Sequence, residues 1–473
     1  QGLTDISGIY SNDYAFVALK KDETVFVWGN DIYGGKINNI RIFDVSGVYS
    51  TQKAFAALKN DGTVFVWGEI NIPLYTYSKL QTFIKNIYSN DYAFAALKEN
   101  GTVVVWGNDN YGGNSSDVQG LTDVKEIYNT QGAFAALKNS GYVFVWGNND
   151  YGGEYTDTVK ELTNIKNIYT NDYAFAALKN DETVFVWGNN DYGGEYTAAV
   201  QNLTDVKEIY KTQRAFAAVD KNDNVFVWGD PLYGGNNADI VDNSNNVNEI
   251  YSNGHAFAAL KSNGDVFVWG DPLYGGNSIN VSTLTDVSGI YSNEDAFVIL
   301  FKNRKCQSFG NIQHGGTSDL VASQLSSGVV EIYSTNSAYA ALKNDGSIIV
   351  WGERDDGRDN DTFSAFSPNN SLINWGHYDY GGYISNLRIY SNNSYFVLLR
   401  GNGTLIQWTA DSIVPLEPSI ASIANNIKKI YSTKEAFAAL KNNGDVFVWG
   451  NDDYGGNNAD VVDNSNNVKE IYS

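Results

Sequence analysis

Ala133-Phe134-Ala135-Ala136-Leu137-Lys138-Asn139-Ser140-Gly141-Tyr142-Val143-Phe144-Val145-Trp146-Gly147 is the stretch that decides the fold. Two short apolar runs, rich in aromatic and β-branched residues, flank a polar turn that contains a glycine. That pattern predicts a tight hairpin, and so short a connection makes the strands antiparallel. A parallel β-helix is excluded, because its successive strands do not pair as hairpins. The runs show little polar alternation, so both faces are expected to be covered. Upstream, Val124 to Tyr128 ends in Ile-Tyr and reads as another strand. Downstream, Asn148-Asn149-Asp150-Tyr151-Gly152-Gly153 reads as a loop. The polar stretch after it is expected to hold a short outer strand, from Thr156 to Leu162.

The same unit fills the chain. Its tryptophan recurs as Trp28, Trp67, Trp106, Trp146, Trp187, Trp228, Trp269, Trp351, Trp408 and Trp449, with Phe309 in its place in a decayed copy. Spacings run from 39 to 42 residues apart from one gap of 57, between Trp351 and Trp408, which encloses Trp375. Eleven hairpins follow, centred near 22, 61, 100, 140, 181, 222, 263, 303, 345, 402 and 443, in one continuous array over residues 1–473. Residues 353–406 form a divergent repeat with an insertion that carries Arg354, Asp355, Asp356 and Arg358. Irregular insertions in an array are where specific contacts gather, and drift accounts for this one equally well.

Glycine marks the hairpin turn as Gly62, Gly101, Gly141, Gly264, Gly346, Gly403 and Gly444, which implies a positive φ there. Asn224 reads as a substitute, whereas Glu23 and Glu182 predict a different turn in their hairpins. Alanine on the second strand opposes bulk on its neighbours, the small-against-large pattern that stacked sheets need. The fold class is therefore all-β: eleven tandem antiparallel blade-like repeats of the propeller type. Leu3 to Tyr10 and Asn467 to Tyr472 are the same part of the unit, so twelve first strands flank eleven hairpins. This duplication favours an open superhelical array, with a closed β-propeller as the alternative. Uncapped repeats at both ends predict end-to-end self-association. A chain that starts at Gln1 and has no methionine is expected to be processed, or to be a segment of something longer.

Composition sets further bounds. With 43% hydrophobic residues the chain is no disordered polymer. A net charge of -22, from 54 acidic and 32 basic residues, repels phosphate backbones and argues against a nucleic-acid partner. A single cysteine, Cys306, allows no disulfide within the chain. No apolar run approaches the length of a membrane span.

Ala-Leu-Lys-Asn-Asp-Gly at residues 57–62 and Val-Phe-Val-Trp-Gly-Asn at residues 143–148 resemble the repeat of the regulator-of-chromosome-condensation family of β-propellers. The resemblance runs along essentially the whole chain. Its best copy is Gly254-His255-Ala256-Phe257-Ala258-Ala259-Leu260. It implies a propeller-type blade and a protein-docking role. The family's units are longer and close into a ring, and its histidine survives here only as His255. Its Gln-Leu-Gly segment is replaced by Tyr-Gly-Gly. No exchange-factor residue carries over. The short Phe-Ala-Ala-Leu-Lys units look like those of bacterial and viral surface proteins, where the resemblance implies no catalysis.

Candidate site residues are few. The histidines are His255, His314 and His377, each at a repeat position held elsewhere by another residue type, and structural roles are expected for them. No Cys/His metal spacing, nucleophile elbow or phosphate-binding loop is present, so no catalytic residue and no cofactor are expected. Asp109, Asp150, Asp191 and Asp453 sit among amides in Asn-Asp-x-Tyr-Gly-Gly loops, where weak calcium binding and plain turn chemistry are the two readings. The loop tyrosines Tyr33, Tyr111, Tyr151, Tyr192, Tyr233, Tyr274, Tyr380 and Tyr454 are read either as a rim that stacks sugars or as anchors over the Trp of their own unit. Glycosylation sequons at Asn100, Asn114, Asn202, Asn280, Asn360, Asn369, Asn392 and Asn402 match chance in so Asn-rich a chain. The expected function is a structural, filament-forming or surface-exposed scaffold without catalysis, extracellular or on a virion or cell surface. A cytoplasmic protein-binding propeller and a glycan-binding surface protein are the alternatives.

Overall fold

The computed structural model describes residues 6–37, 41–236, 245–277, 284–334, 336–352, 363–366, 372–375, 388–391, 395–399, 405–408, 427–432, 435–441, 446–451 and 453. Among them are eleven three-stranded antiparallel sheets, each built from consecutive strands in sequence order. We call these sheets blades 1 to 11. Blade 4 is typical, with strands Val124–Asn129, Ala133–Lys138 and Val143–Gly147. The chain divides into two compact bodies. Ile6–Asn245 holds blades 1 to 6 and Asn246–Ile471 holds blades 7 to 11.

Each strand does a different job. The second strand is buried on both faces, as its unbroken apolar sequence requires. Its Phe lies directly opposite the Trp of the third strand, Phe134 against Trp146, and the two rings stack at 5.2 Å. The first strand carries a register shift, with Val124 opposite Lys138 and Glu126 opposite Leu137. An extra residue reverses the alternation, so Val124 and Ile127 are both buried although they stand three positions apart. Every blade whose first strand is described in full repeats this bulge.

Packing between blades follows one scheme. Ala93, Ala95, Leu97, Val103 and Val105 of blade 3 meet Val124, Ile127, Phe134, Ala136 and Trp146 of blade 4. Val118 and Leu121, from the connecting segment, fill the outer end. The small Ala face lets the next blade bring its Phe and Trp close, and each such joint buries several large side chains, worth ~1.5–3 kcal/mol apiece. Cys306 opens the third strand of blade 8 inside one of these joints. Burial pushes its thiol up to about 12, so it acts as a small apolar residue.

Two expectations about local structure are corrected. Thr156 to Leu162 is not a strand: Asp157–Lys160 is a helical turn, and the Thr156 hydroxyl accepts from the amide of Val159 at 3.3 Å. Thr is a good N-cap and Asp suits the first turn, while Val159 and Leu162 still reach the core from a helical backbone. Ala198–Gln201 and Leu74–Lys79 are helical at the matching place. Nor do Glu23 and Glu182 impose a different turn. Both take the left-handed conformation that Gly62 adopts, with φ of 62°, 66° and 76°. In blade 6 the equivalent residue is Asp223, at φ 61°, not Asn224.

The reason lies in two backbone bonds that fix this turn. The Glu23 amide donates to the carbonyl of Lys20 at 2.8 Å, and its own carbonyl accepts from Val45 of the next blade at 2.9 Å. Gly62 does the same with Lys59 and Ile84, at 2.9 Å each. Tertiary bonding thus overrides the preference of the side chain.

Of the divergent stretch 353–406, Phe363–Phe366 pairs with Leu372–Trp375 as a two-stranded sheet, and blade 10 supplies Arg388–Ser391, Phe396–Leu399 and Leu405–Trp408. Arg354, Asp355, Asp356, Arg358, His377, Tyr380 and Tyr454 lie outside the described residues, as does the repeated segment Asn467 to Tyr472.

Candidate functional site

After each regular third strand the chain makes a single tight turn. Asn108, Asn148 and Asn189 accept, through their side-chain oxygens, from the amides of Asn110, Asp150 and Asp191 at 2.9–3.0 Å. Asp230 and Asp271 do the same for Leu232 and Leu273. The turn brings Tyr111, Tyr151, Tyr192, Tyr233 and Tyr274 to equivalent places, each followed by a left-handed glycine. A side chain on that glycine is not tolerated: a Cβ on Gly112 would lie 2.7 Å from Phe134 of the next blade. Its carbonyl accepts from the Trp146 indole at 3.1 Å. It is the glycine, then, that meets the aromatic pair, and it is the pair of the following blade.

The tyrosine is clamped from its own blade. A buried Asn or Thr just after the first strand donates to the tyrosine carbonyl. Asn12 does so to Tyr33 (2.8 Å), Asn90 to Tyr111 (2.8 Å), Thr130 to Tyr151 (2.8 Å), Asn171 to Tyr192 (2.7 Å), Thr212 to Tyr233 (3.0 Å) and Asn253 to Tyr274 (2.8 Å). The same side chain accepts from the amide that opens the second strand, for example Ala174 onto Asn171 at 2.7 Å. One residue therefore ties loop, first strand and second strand together.

With their backbones fixed, the tyrosine rings stand half-buried in a row and interleave with the residue just before the Ala of each second strand. In blades 1 to 6 that residue is Tyr14, Lys53, Tyr92, Gly132, Tyr173 and Arg214. Tyr14 packs on Tyr33 (4.4 Å), Tyr92 on Tyr111 (4.3 Å), Tyr151 on Tyr173 (5.0 Å) and Tyr173 on Tyr192 (4.7 Å). The Lys53 ammonium lies 5.3 Å from the Tyr33 ring, and the Arg214 guanidinium lies 4.8 Å from Tyr192 and 4.7 Å from Tyr233. At Gly132 the rings of Tyr111 and Tyr151 close over the backbone and meet at 6.1 Å. A Cβ there would lie 2.8 Å from Tyr151 and 2.9 Å from Tyr111.

In the other body the equivalent positions of blades 7 and 8 hold different residues. His255 stacks on Tyr274 at 4.0 Å, Asp295 replaces the next residue, and His314 replaces the loop tyrosine. Asp295 lies between the two imidazoles: His255 Nε2 is 3.3 Å from one carboxylate oxygen, and His314 Nδ1 bonds the other. Burial raises the Asp295 carboxyl, but hydrogen bonds from His255 and His314 and their charge outweigh it and hold the group below its usual value. Both described histidines thus occupy rim positions of their own blades.

Asp109, Asp150, Asp191 and Asp453 are exposed on the outside of the turns. The asparagine oxygens beside them are spent on capping. Among the described residues no three His, Cys, Asp or Glu side chains converge as a metal site. The clamp residues and the interleaved position were missed in the sequence. Their signal is there: a strict Asn or Thr three residues before the Ala, and one freely varying position inside an otherwise fixed frame.

These features define an all-β protein of tandem blades, with rows of stacked side chains along the rim of its blades. No family model matches the chain, and no curated protein matches it. Among solved structures it is similar to the ectodomain of the Physcomitrella patens receptor kinase CR4, at 15% identity over 65% of this chain and 75% of that one, with a TM-score of 0.31. It is similar also to Prp20p from Saccharomyces cerevisiae, at 15% identity over 59% and 74%, with a TM-score of 0.30. The computationally designed Ika8 protein matches at 14% identity over 74% and 98%, with a TM-score of 0.29. Among the described residues no helix is long and apolar enough to cross a membrane.

Proposed function

We propose that this chain is a non-catalytic repeat scaffold whose rim docks a protein partner. The observation that carries the reading is the interleaved row Tyr151, Tyr173, Tyr192, Arg214 and Tyr233, half-exposed and backed by clamped backbone. Tyr and Arg are the side chains that dominate protein interfaces, because they offer large area at low entropic cost. A chemical step needs one asymmetric constellation, whereas this row repeats the same elements from blade to blade, which suits an extended partner. End-to-end self-association, with a second copy as the partner, is proposed beside it.

The test is a peptide display selection on the whole chain, repeated on a variant carrying Tyr173→Ser, Tyr192→Ser and Arg214→Ser. Binders lost with the three rim side chains support the proposal. Binders that survive their removal move the docking face elsewhere and overturn it. Saturable binding on a glycan array, removed by the same three changes and without peptide binders, would replace it with the glycan reading. Light scattering and electron microscopy over a concentration series read the self-association, and discrete particles at every concentration would exclude it.

A further inference from the structure

Blade 2 breaks the rim. In blades 1, 3, 4 and 5 a loop ring stands between the interleaved residue of its own blade and that of the next. Blade 2 supplies Glu69-Ile70-Asn71-Ile72-Pro73 where the others have the Tyr-Gly-Gly turn, so no loop tyrosine stands between Lys53 and Tyr92. A cavity of about 510 Å³ lies there, lined by Thr51, Lys53, Glu69, Asp91, Tyr92 and Asn108 among others.

Thr51 adds a second, independent sign. It is the clamp residue of blade 2 and is 7% exposed. Its counterparts Thr130 and Thr212 donate their hydroxyl protons to a loop tyrosine carbonyl. Thr51 Oγ1 accepts from the amides of Lys53 (3.4 Å) and Ala54 (3.2 Å), and among the described residues its proton has no acceptor. A buried hydroxyl in this state favours a ligand that brings a carbonyl.

We propose that this cavity binds an aromatic amino-acid residue, ring between Lys53 and Tyr92 and carbonyl oxygen on Thr51 Oγ1. The ligand reproduces what the chain itself supplies at the neighbouring steps. Lys53 is already paired with Glu69 at 3.3 Å, and Asp91 receives the Gln52 amide at 3.0 Å. The carboxylates Glu69, Asp91 and Asp109 outnumber Lys53, the single cation of the lining, so a ligand with a free carboxylate is repelled, and the ring is taken as a phenol carried on an uncharged amide backbone. Tyr92 supplies stacking and Lys53 a cation over the opposite face. This inference does not depend on the rim's docking a protein.

The test titrates the whole chain with N-acetyl-L-tyrosinamide, with p-cresol, and with the blocked peptide Asn-Asp-Tyr-Gly-Gly, followed by ligand-observed NMR. The amide is expected to saturate with a Kd on the order of 1 mM, as befits so small a ligand. p-Cresol, with the ring but no carbonyl, is expected to bind at least ~3-fold more weakly. Tyr92→Ala, which changes an exposed side chain and leaves the strand backbone intact, is expected to abolish binding of both. Thr51→Val is expected to weaken the amide at least ~3-fold and to leave p-cresol unchanged, a split that general misfolding would not produce. Tighter binding of the peptide identifies a polypeptide as the source of the ring, and equal binding a free amino-acid derivative. No saturable binding of any probe overturns the proposal, as does binding indifferent to both variants.

Discussion

Single residues in this chain are held where their own preferences would not place them. Glu23 is exposed, makes the turn bonds of a glycine and sits at φ 62°. A left-handed conformation costs an ordinary side chain ~1–2 kcal/mol, part of which glycine returns as unfolded-state entropy. Glu23→Gly is therefore expected to raise stability by about 0.5–1 kcal/mol in urea titration, and Glu23→Ala is expected not to. That turn was legible as a hairpin but not as uniform, because the bond from Val45 onto the Glu23 carbonyl comes from a residue outside the hairpin.

Asp295 is the opposite case, a carboxylate placed by its partners. Its folded pKa lies below the ordinary value of 3.8, so its contribution is fully present above that pH and is lost as the pH falls through the folded value. Asp295→Asn is expected to cost about 1–3 kcal/mol at pH 7. The gap between variant and parent should narrow in thermal melts taken below pH 3.8. His255 and His314 were visible in the sequence as misfits, but Asp295 was not, since 40 and 19 residues separate it from them and only the stacking of blades brings the three together.

Among elements, the blade was the most legible part of the fold. Val-Phe-Val-Trp-Gly and Ala-Phe-Ala-Ala-Leu-Lys carry their strand pairing in their composition, and Phe134 opposite Trp146 follows from hairpin length alone. The segment between blades was not. Thr156 to Leu162 has apolar residues that fit a strand or a turn of helix, and the Thr156 cap decides for helix. The clamp was hidden because Asn and Thr between strands read as ordinary turn residues. It has a sharp signature in mutation. Asn171 makes bonds to the Tyr192 carbonyl and to the amides of Tyr173 and Ala174. Asn171→Ala is expected to lower stability by about 1–3 kcal/mol and to loosen the Tyr192 turn in hydrogen exchange. Asn171→Thr is expected to cost under ~1 kcal/mol, since Thr130 and Thr212 already do this work in the flanking blades.

Within each body of the molecule, stability is a sum over similar joints. Each is local in sequence, because inside a body a blade packs on its neighbours in the chain. Near-identity of the joints also explains why composition and periodicity carried so much of the fold and so little of the site. The frame repeats and was read as a frame, while the rim lies at the few positions where copies differ. The net charge of -22 is spread over a surface with few ion pairs among its described residues, so added salt is expected to raise the unfolding temperature modestly.

The glycine that ends the regular turns and meets the aromatic pair of the following blade makes those joints interchangeable with one another. A gene coding for such a chain can gain or lose a whole copy by misaligned recombination, and the protein at the seam finds the contacts it had before. Copy number is then free to drift or to be selected, with length as the trait. Removal of residues 165–205 joins Asn164 to Val206, so that Asn164 takes the place of Asp205, its counterpart in the next copy, at the same left-handed backbone position. The shortened chain is expected to be soluble, with unchanged tryptophan emission and a unfolding midpoint within a few degrees of the parent.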